Sequence, residues 1–374
     1  MSNDQPSPTA SLTPTTTSTS ILTTKSGATT ASISEQSIDS QSVTHKIDSE
    51  SEPNKDQDES HPSATKHLED EDFSEKVSEQ DRETIKKVAE DDNISQPKSY
   101  ASILVEQVID AKETFNRSLG SLFTSAFTAG LEIGISLFVI LTAYSLLSAL
   151  FPAEYDHYAL VLSSLLYPLG FIIVVIGQSL LFTEQTSLLS LPVLNKIEPV
   201  SKLLRLWGIV IVGNILGGCL FAILMIGLGL HMGLYSSDNI DHFAQHVLDY
   251  DWWIIFGSSI LAGWLMGVAA WLVTSARDTI SRIVLVTLIT GTIGFLGLHH
   301  SIVGNVEVFS GLIYGHSIGV ADYLIFLVLV LLGNTVGGVV FVAILKNRTF
   351  LYDIEKIKAE MPKTEFMKRH HRDY

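Results

Sequence analysis

Six apolar stretches, at residues 127–150, 158–182, 206–230, 252–273, 283–313 and 323–345, dominate the chain from Ala126 onward, most of them near the length of helix needed to cross about 30 Å of hydrocarbon. They predict an all-α membrane protein of six transmembrane helices. The second stretch ends in the polar run from Phe182 to Ser187, and the fifth is too long and is interrupted by Gly297-Leu298-His299-His300-Ser301. Both are read as broken helices. Ahead of the first span, Leu104, Val108, Ala111 and Phe115 recur at helical spacing beside Glu106, Lys112 and Glu113. Residues 97–118 are therefore expected to form an amphipathic helix, either lying in the interface or packed on the bundle.

The short connections alternate in charge. Lys112 and Arg117 precede span one, Lys196, Lys202 and Arg205 lie between two and three, Arg277 and Arg282 between four and five, and Lys346 and Arg348 follow six. The other three connections, at 151–157, 231–251 and 314–322, carry neither Lys nor Arg. Basic loops collect in the cytoplasm, so both termini are predicted there and the protein is placed in the cell's plasma or inner membrane. Trp252 and Trp253 at a span end fit an interfacial aromatic belt.

Spans three and six share a pattern, Gly213-Asn214-Ile-Leu-Gly217-Gly218 against Gly333-Asn334-Thr-Val-Gly337-Gly338. Spans one and four share a weaker one, Ala129-Gly130 through Gly134 against Ala262-Gly263 through Gly267, and the broken spans take the middle place in each half. Three crossings per half is an odd number, which makes the second copy an inverted repeat of the first. The glycines are read first as close helix contacts. Asn214 and Asn334, amides that need partners in lipid, would either hold the irregular backbone of the breaks or touch a passing solute.

Irregular backbone survives at membrane depth only where protein or a wet cavity encloses it, so two matching breaks point to one shared polar path. Glu132, His299, His300 and Glu307 fall inside spans, with Glu184 at the first break. Such groups are costly in lipid and each is a functional candidate beside a structural alternative. His300 could present a donor or a proton to an anion; His299, its neighbour, must point elsewhere and is read as structural. Thr183 offers a hydroxyl that donates and accepts, or caps local backbone. Glu132 and Glu307 are either interhelical hydrogen-bond partners or transport residues.

Composition adds a second part. Met1 to about Gln96 is Ser/Thr-rich and then acidic, holding 20 of the chain's 40 acidic side chains with few large apolar ones. It is expected to be a disordered cytoplasmic tail, as is the shorter segment 351–374. Its first residues carry no basic flank or apolar core of a secretory signal. A single cysteine, Cys219, excludes an internal disulfide and argues against a thiolate metal site. No nucleotide loop, zinc-protease helix or nucleophile elbow occurs, so neither an enzyme nor a cofactor, metal or nucleic-acid partner is expected. His231, His242 and His246 in one connection offer only an isolated histidine group.

The motifs of the membrane part, residues 105–350, resemble those of the formate/nitrite transporter family. Leu181-Phe182-Thr183 is similar to the family's Leu-Phe-Thr loop, His300-Ser301-Ile302 to its central His-Ser-Ile, and Gly333 to Gly338 to its Gly-Asn-x-x-Gly-Gly. The resemblance implies an aquaporin-like six-helix protomer, a homopentamer with one pore per subunit, and passage of small monovalent anions such as formate, nitrite or hydrosulfide. It also implies a hydrogen bond from Thr183 to His300, a constriction lined by Leu181 and Phe182, and Asn334 near the pore. Ser301, Asn214 and Glu307 complete the expected pore and substrate-binding set. The chain departs from the pattern at Leu180, where the family has Glu, at Gly263, where it has Asn, and in the longer His-Ser-Ile-Val-Gly-Asn run. Two other readings stay open: a pore for a small neutral solute, and a membrane sensor or scaffold acting through the acidic tail.

Overall fold

A computed structural model describes residues 97–349. The expected tails, 1–96 and 351–374, lie outside the described residues. Helix α1 (Tyr100–Asn116) starts at a Ser99 cap and is followed by the long α2 (Leu119–Leu150). The second apolar stretch becomes α3 (Asp156–Ser164) and α4 (Pro168–Ile176), then α5 (Phe182–Leu188) and α6 (Ser190–Leu194). α7 (Val200–Phe221) runs through a π turn at Ala222–Ile226 into α8 (Gly227–His231). After α9 (Ser237–Leu248) come α10 (Trp252–Ser275), α11 (Thr279–Phe295), α12 (Ser301–Tyr314) and α13 (Val320–Gly338), the last continuing through a π turn at Val339–Ile344.

Five helical runs are long and apolar enough to cross a membrane: Leu119–Leu150, Asp156–Ile176, Val200–His231, Trp252–Ser275 and Val320–Thr349. The predicted fifth span is instead two shorter apolar helices, α11 and α12, separated by the break at 296–300. The first break lies a few residues earlier than the polar run suggested. Phe182 to Leu188 is helical, and the chain leaves helix at Gly177 to Leu181. The two breaks turn in the same way: Gln178 has φ 56° and Gly297 φ 61°, each three residues before the residue that opens the next half-helix, Leu181 and His300. For glutamine that backbone is strained, and the surrounding contacts must hold it there.

The halves repeat at atomic detail. α2 packs against α7 and α10 against α13, each pair closing through backbone. A Cβ on Gly130 would strike the carbonyl of Asn214, and one on Gly263 the carbonyl of Asn334, whose Cα would lie 2.5 Å away. Gly217 and Gly337 meet the carbonyls of Phe127 and Ile260 in the same manner. Since lipid is as apolar as the helices, association at this depth depends on such close packing. Gly263 therefore cannot carry the asparagine seen elsewhere in the motif unless the two helices separate. Gly263→Ala should lower the stability of the purified protein by about 1–3 kcal/mol or more, as overpacking does, read as a fall in thermal midpoint in detergent; an unchanged midpoint would contradict this packing.

α1 is docked on the bundle. Ile103, Leu104 and Val108 are buried against Leu191, Ile197, Trp271 and Ala343. The Tyr100 hydroxyl donates to the Lys346 carbonyl at 2.7 Å, and Lys98 Nζ to the Thr274 carbonyl at 2.8 Å.

Candidate functional site

The site is built by the two asparagines. Asn214 Oδ1 accepts from the Phe182 amide at 2.8 Å, while its Nδ2 donates to the carbonyls of Leu180 at 2.8 Å and Ala126 at 2.7 Å. Asn334 repeats the set: Oδ1 accepts from the Ser301 amide at 2.8 Å, and Nδ2 donates to His299 at 3.1 Å and Ser259 at 2.7 Å. A broken helix leaves amides and carbonyls without helical partners, and in lipid each must be satisfied internally. One fully buried amide per break does this and ties the break to two neighbouring helices. Of the two readings open to these residues, holding the backbone is the one their bonds express.

With the breaks held, their open ends meet. Thr183 Oγ1 lies 2.8 Å from His300 Nε2, both residues buried. His300 Nδ1 accepts from the Val303 amide at 3.3 Å, capping α12. A neutral imidazole has one donor and one acceptor nitrogen, so this cap places the proton on Nε2, which then donates to Thr183. The ring stands edge-to-face against Phe171, centroids 5.1 Å apart. Leu181 and Phe182 are buried beside this pair, and the Phe182 ring meets Trp207 edge-to-face at 6.0 Å. Ser301 Oγ is buried with no hydrogen-bond partner among the described residues.

On one side of His300 lies a cavity of about 240 Å³, reaching from the second break to α9. His300, Val303, Gly304 and Glu307 line it at the spacing of one helix face, so Glu307 shares the enclosure with the histidine. His299 also borders it but is engaged: Nε2 lies 2.9 Å from the Val247 carbonyl, and Nδ1 lies 2.9 Å from Ser258 Oγ. Ser164, Tyr167, His246 and Tyr250 complete its polar lining.

Tyr167, Tyr250 and α9 itself escaped the reading of the sequence, which took 231–251 as a connection and His246 only as one of an isolated histidine group. A signal was present: Ser236 and Asn239 form a reciprocal cap, and Ile240, Phe243, Ala244 and Val247 follow at helical spacing. His242 stacks on Tyr144 at 5.5 Å, and no group of three ligating side chains that could hold a metal occurs among the described residues. Asp241 fixes α9 to the 315–319 turn, accepting from Ser317 Oγ at 2.7 Å, the amides of His316 and Ser317 at 3.3 Å, and Gln245 Nε2 at 2.8 Å.

Desolvation opposes the charge of Asp241, but these hydrogen bonds outweigh it and hold the carboxyl below its ordinary range. A depressed carboxylate contributes stability above its unfolded pKa, near 4, and loses it as pH falls through the folded value. Amide protection in α9 and 315–319, the slowing of exchange relative to the unfolded chain at the same pH, should therefore fall as pH drops below about 4. In Asp241→Asn it should already be low at pH 7 and show no such step. A step that persists in the variant would assign it elsewhere.

Buried half-helices meeting between two sets of long apolar helices define a multi-pass membrane protein of the channel type. The Formate/nitrite transporter family model matches residues 101–347, and the chain belongs to that family. It is 30% identical over 260 residues to the inner membrane protein YfdC of Escherichia coli, covering 67% of this chain and 79% of that one. It is 27% identical over 246 residues to the formate channel FocA of Haemophilus influenzae, covering 60% and 85%. Among solved structures, a pentameric formate channel with formate bound aligns at TM-score 0.54 and 24% identity, over 62% of this chain and 98% of that one. An FNT family ion channel aligns at 0.58 and 21%, over 67% and 98%.

Proposed function

We propose that the chain conducts small monovalent anions of weak acids, formate or nitrite among them, through a path that crosses between Thr183 and His300. The observation that carries this is the hydrogen bond joining the two breaks at the end of a largely apolar cavity that His246, His299, His300 and Glu307 border, in a member of a transporter family. An anion arriving at His300 takes the Nε2 proton's hydrogen bond in place of Thr183, whose hydroxyl then donates to the anion, and Ser301 Oγ is a further donor beside it. A charge passing the apolar side chains of Leu181 and Phe182 bare would be costly, and a strong hydrogen bond or a shared proton reduces that cost. Asn214 and Asn334 position the breaks without touching the solute.

The Haemophilus relative is a formate channel and the aligned structure is pentameric, which supports a homopentamer with a path in each protomer. The alternation of basic loops supports cytoplasmic termini and an α9 cavity that opens on the outer face. No chemical transformation of the solute is part of this reading. Proteoliposomes holding the purified full chain should pass at least one of formate, nitrite, hydrosulfide, lactate and acetate down its gradient, well above empty vesicles. Impermeability to all five would overturn the proposal.

A further inference from the structure

Glu132, an ionisable side chain inside the first span, is not among the residues that line the cavity at His300. It stands two residues beyond Gly130, whose close contact with the Asn214 carbonyl sets it at the depth of the first break. Its Oε1 lies 3.6 Å from the point that a Cβ on Gly177 would occupy, in the groove between α2 and the end of α4. Its Oε2 is buried with no hydrogen-bond partner among the described residues. Along the same groove Ile173, Ile176, Gly177 and Gln178 are exposed. A carboxyl and a carboxamide therefore stand at membrane depth on the outside of the protomer, where hydrocarbon offers neither a hydrogen bond.

The internal repeat supplies a comparison within the molecule. In the second half Leu265 holds the place of Glu132 and Gly297 that of Gln178, and the two break residues share nearly the same backbone, φ 61° and 56°. The fold thus needs no polar side chain at either position, and a glycine at 178 would be free of strain. The half that carries the polar pair meets surroundings that the other half does not. A head-to-tail contact in a ring of protomers has this property, because it joins two different faces of the chain and so breaks the equivalence of the halves.

We infer that this groove is a contact surface between protomers: a second copy of the chain covers Ile173, Ile176 and Gln178, donates a hydrogen bond to the Glu132 carboxyl and pairs with the Gln178 amide. The first break is then held from two sides, by Asn214 and Ser125 within the protomer and by the neighbour outside it. The inference rests on the homopentamer of the reading above and names the face through which it assembles.

Native mass spectrometry of the full chain released from nanodiscs measures assembly, and a photo-crosslinking side chain introduced at Ile176 identifies what covers the groove. On illumination the crosslinker should join one copy to another and give a ladder of covalent oligomers. Glu132→Leu, which copies the second half, should weaken association about 10- to 100-fold, the effect of one hydrogen bond to a charged group. Glu132→Gln, which keeps an acceptor, should weaken it less. Gln178→Gly separates assembly from folding: it relieves the backbone, so circular dichroism should show unchanged helical content while association falls. Glu132→Leu and Gln178→Gly proteins that assemble like the unmodified one overturn the inference, and so does a crosslinker that labels lipid alone in an oligomeric protein. An unmodified chain that is monomeric removes the homopentamer and this inference with it, whereas its anion flux in proteoliposomes decides the transport reading separately.

Discussion

Asn334→Ala is expected to be the most destabilising single substitution in the membrane part, with Asn214→Ala its equal. Each removes one side chain and leaves two buried groups of a break without partners, the Ser301 amide and the His299 carbonyl in one case and the Phe182 amide and the Leu180 carbonyl in the other, while the Ser259 and Ala126 carbonyls keep only their helical bonds. An unsatisfied buried group costs about 1–3 kcal/mol, so each variant should lose about 3–5 kcal/mol. Thermal unfolding in detergent measures this, and the two midpoints should fall together. Asn334→Asp should be only partly better, since a carboxylate keeps the acceptor for Ser301 and loses both donations. If one asparagine proves dispensable while the other does not, the atomic correspondence between the halves does not extend to their energetics.

His300→Ala is expected to reduce anion flux by about 10- to 100-fold, the equivalent of the 1.5–3 kcal/mol that a hydrogen bond to a charged group contributes. Stability should fall much less than in the asparagine variants, because only the α12 cap and the Thr183 contact are lost. His300→Asn supplies an amide donor from the same position and should recover part of the flux without its pH dependence. Flux unchanged in the alanine variant would remove the histidine from the path, whatever the family.

Much of this architecture was legible in the sequence, because lipid imposes rules that a linear reading can apply. Long apolar runs give helices, and a polar interruption at membrane depth must be enclosed. The repeated Gly-Asn-x-x-Gly-Gly named in advance the residues that hold the breaks, and the family resemblance named the Thr183 to His300 pair. Composition misled where local chemistry and long-range contacts disagree. The polar run after Phe182 resembles an interruption, yet it is helical, and the chain turns earlier because Gln178 is forced into left-handed backbone. The left-handed turn is itself a helix C-cap, in which the Ser179 amide donates to the Val174 carbonyl at 3.0 Å and the Gln178 amide to the Val175 carbonyl at 3.4 Å; Asn214 and Ser125, whose hydroxyl accepts the Leu180 amide at 3.2 Å, hold the backbone just beyond it. The α9 contribution was hidden for another reason. A short amphipathic helix between two long spans carries a signal far weaker than theirs, and its docking depends on Asp241 reaching a turn some 75 residues away.

Gly263 shows how a departure from a motif becomes readable once packing is known. With Asn334's backbone pressed against it, the position has no room for an amide, and the glycine trades a polar side chain for a closer helix crossing. The departure at Leu180 is similar in kind. That side chain is buried in the core, and its backbone supplies a carbonyl to Asn214 and an amide to Ser125.

The claim on which the rest depends is that solute crosses where the two breaks touch, and Thr183 tests it with least disturbance. Valine is nearly the same shape, so Thr183→Val removes the hydroxyl and little else, whereas Thr183→Ser keeps it. Formate flux into proteoliposomes should fall about tenfold in the valine variant and stay near the unmodified rate in the serine variant, the effect of one hydrogen bond at the crossing point. A valine variant that folds and conducts like the unmodified protein would show that the solute passes elsewhere.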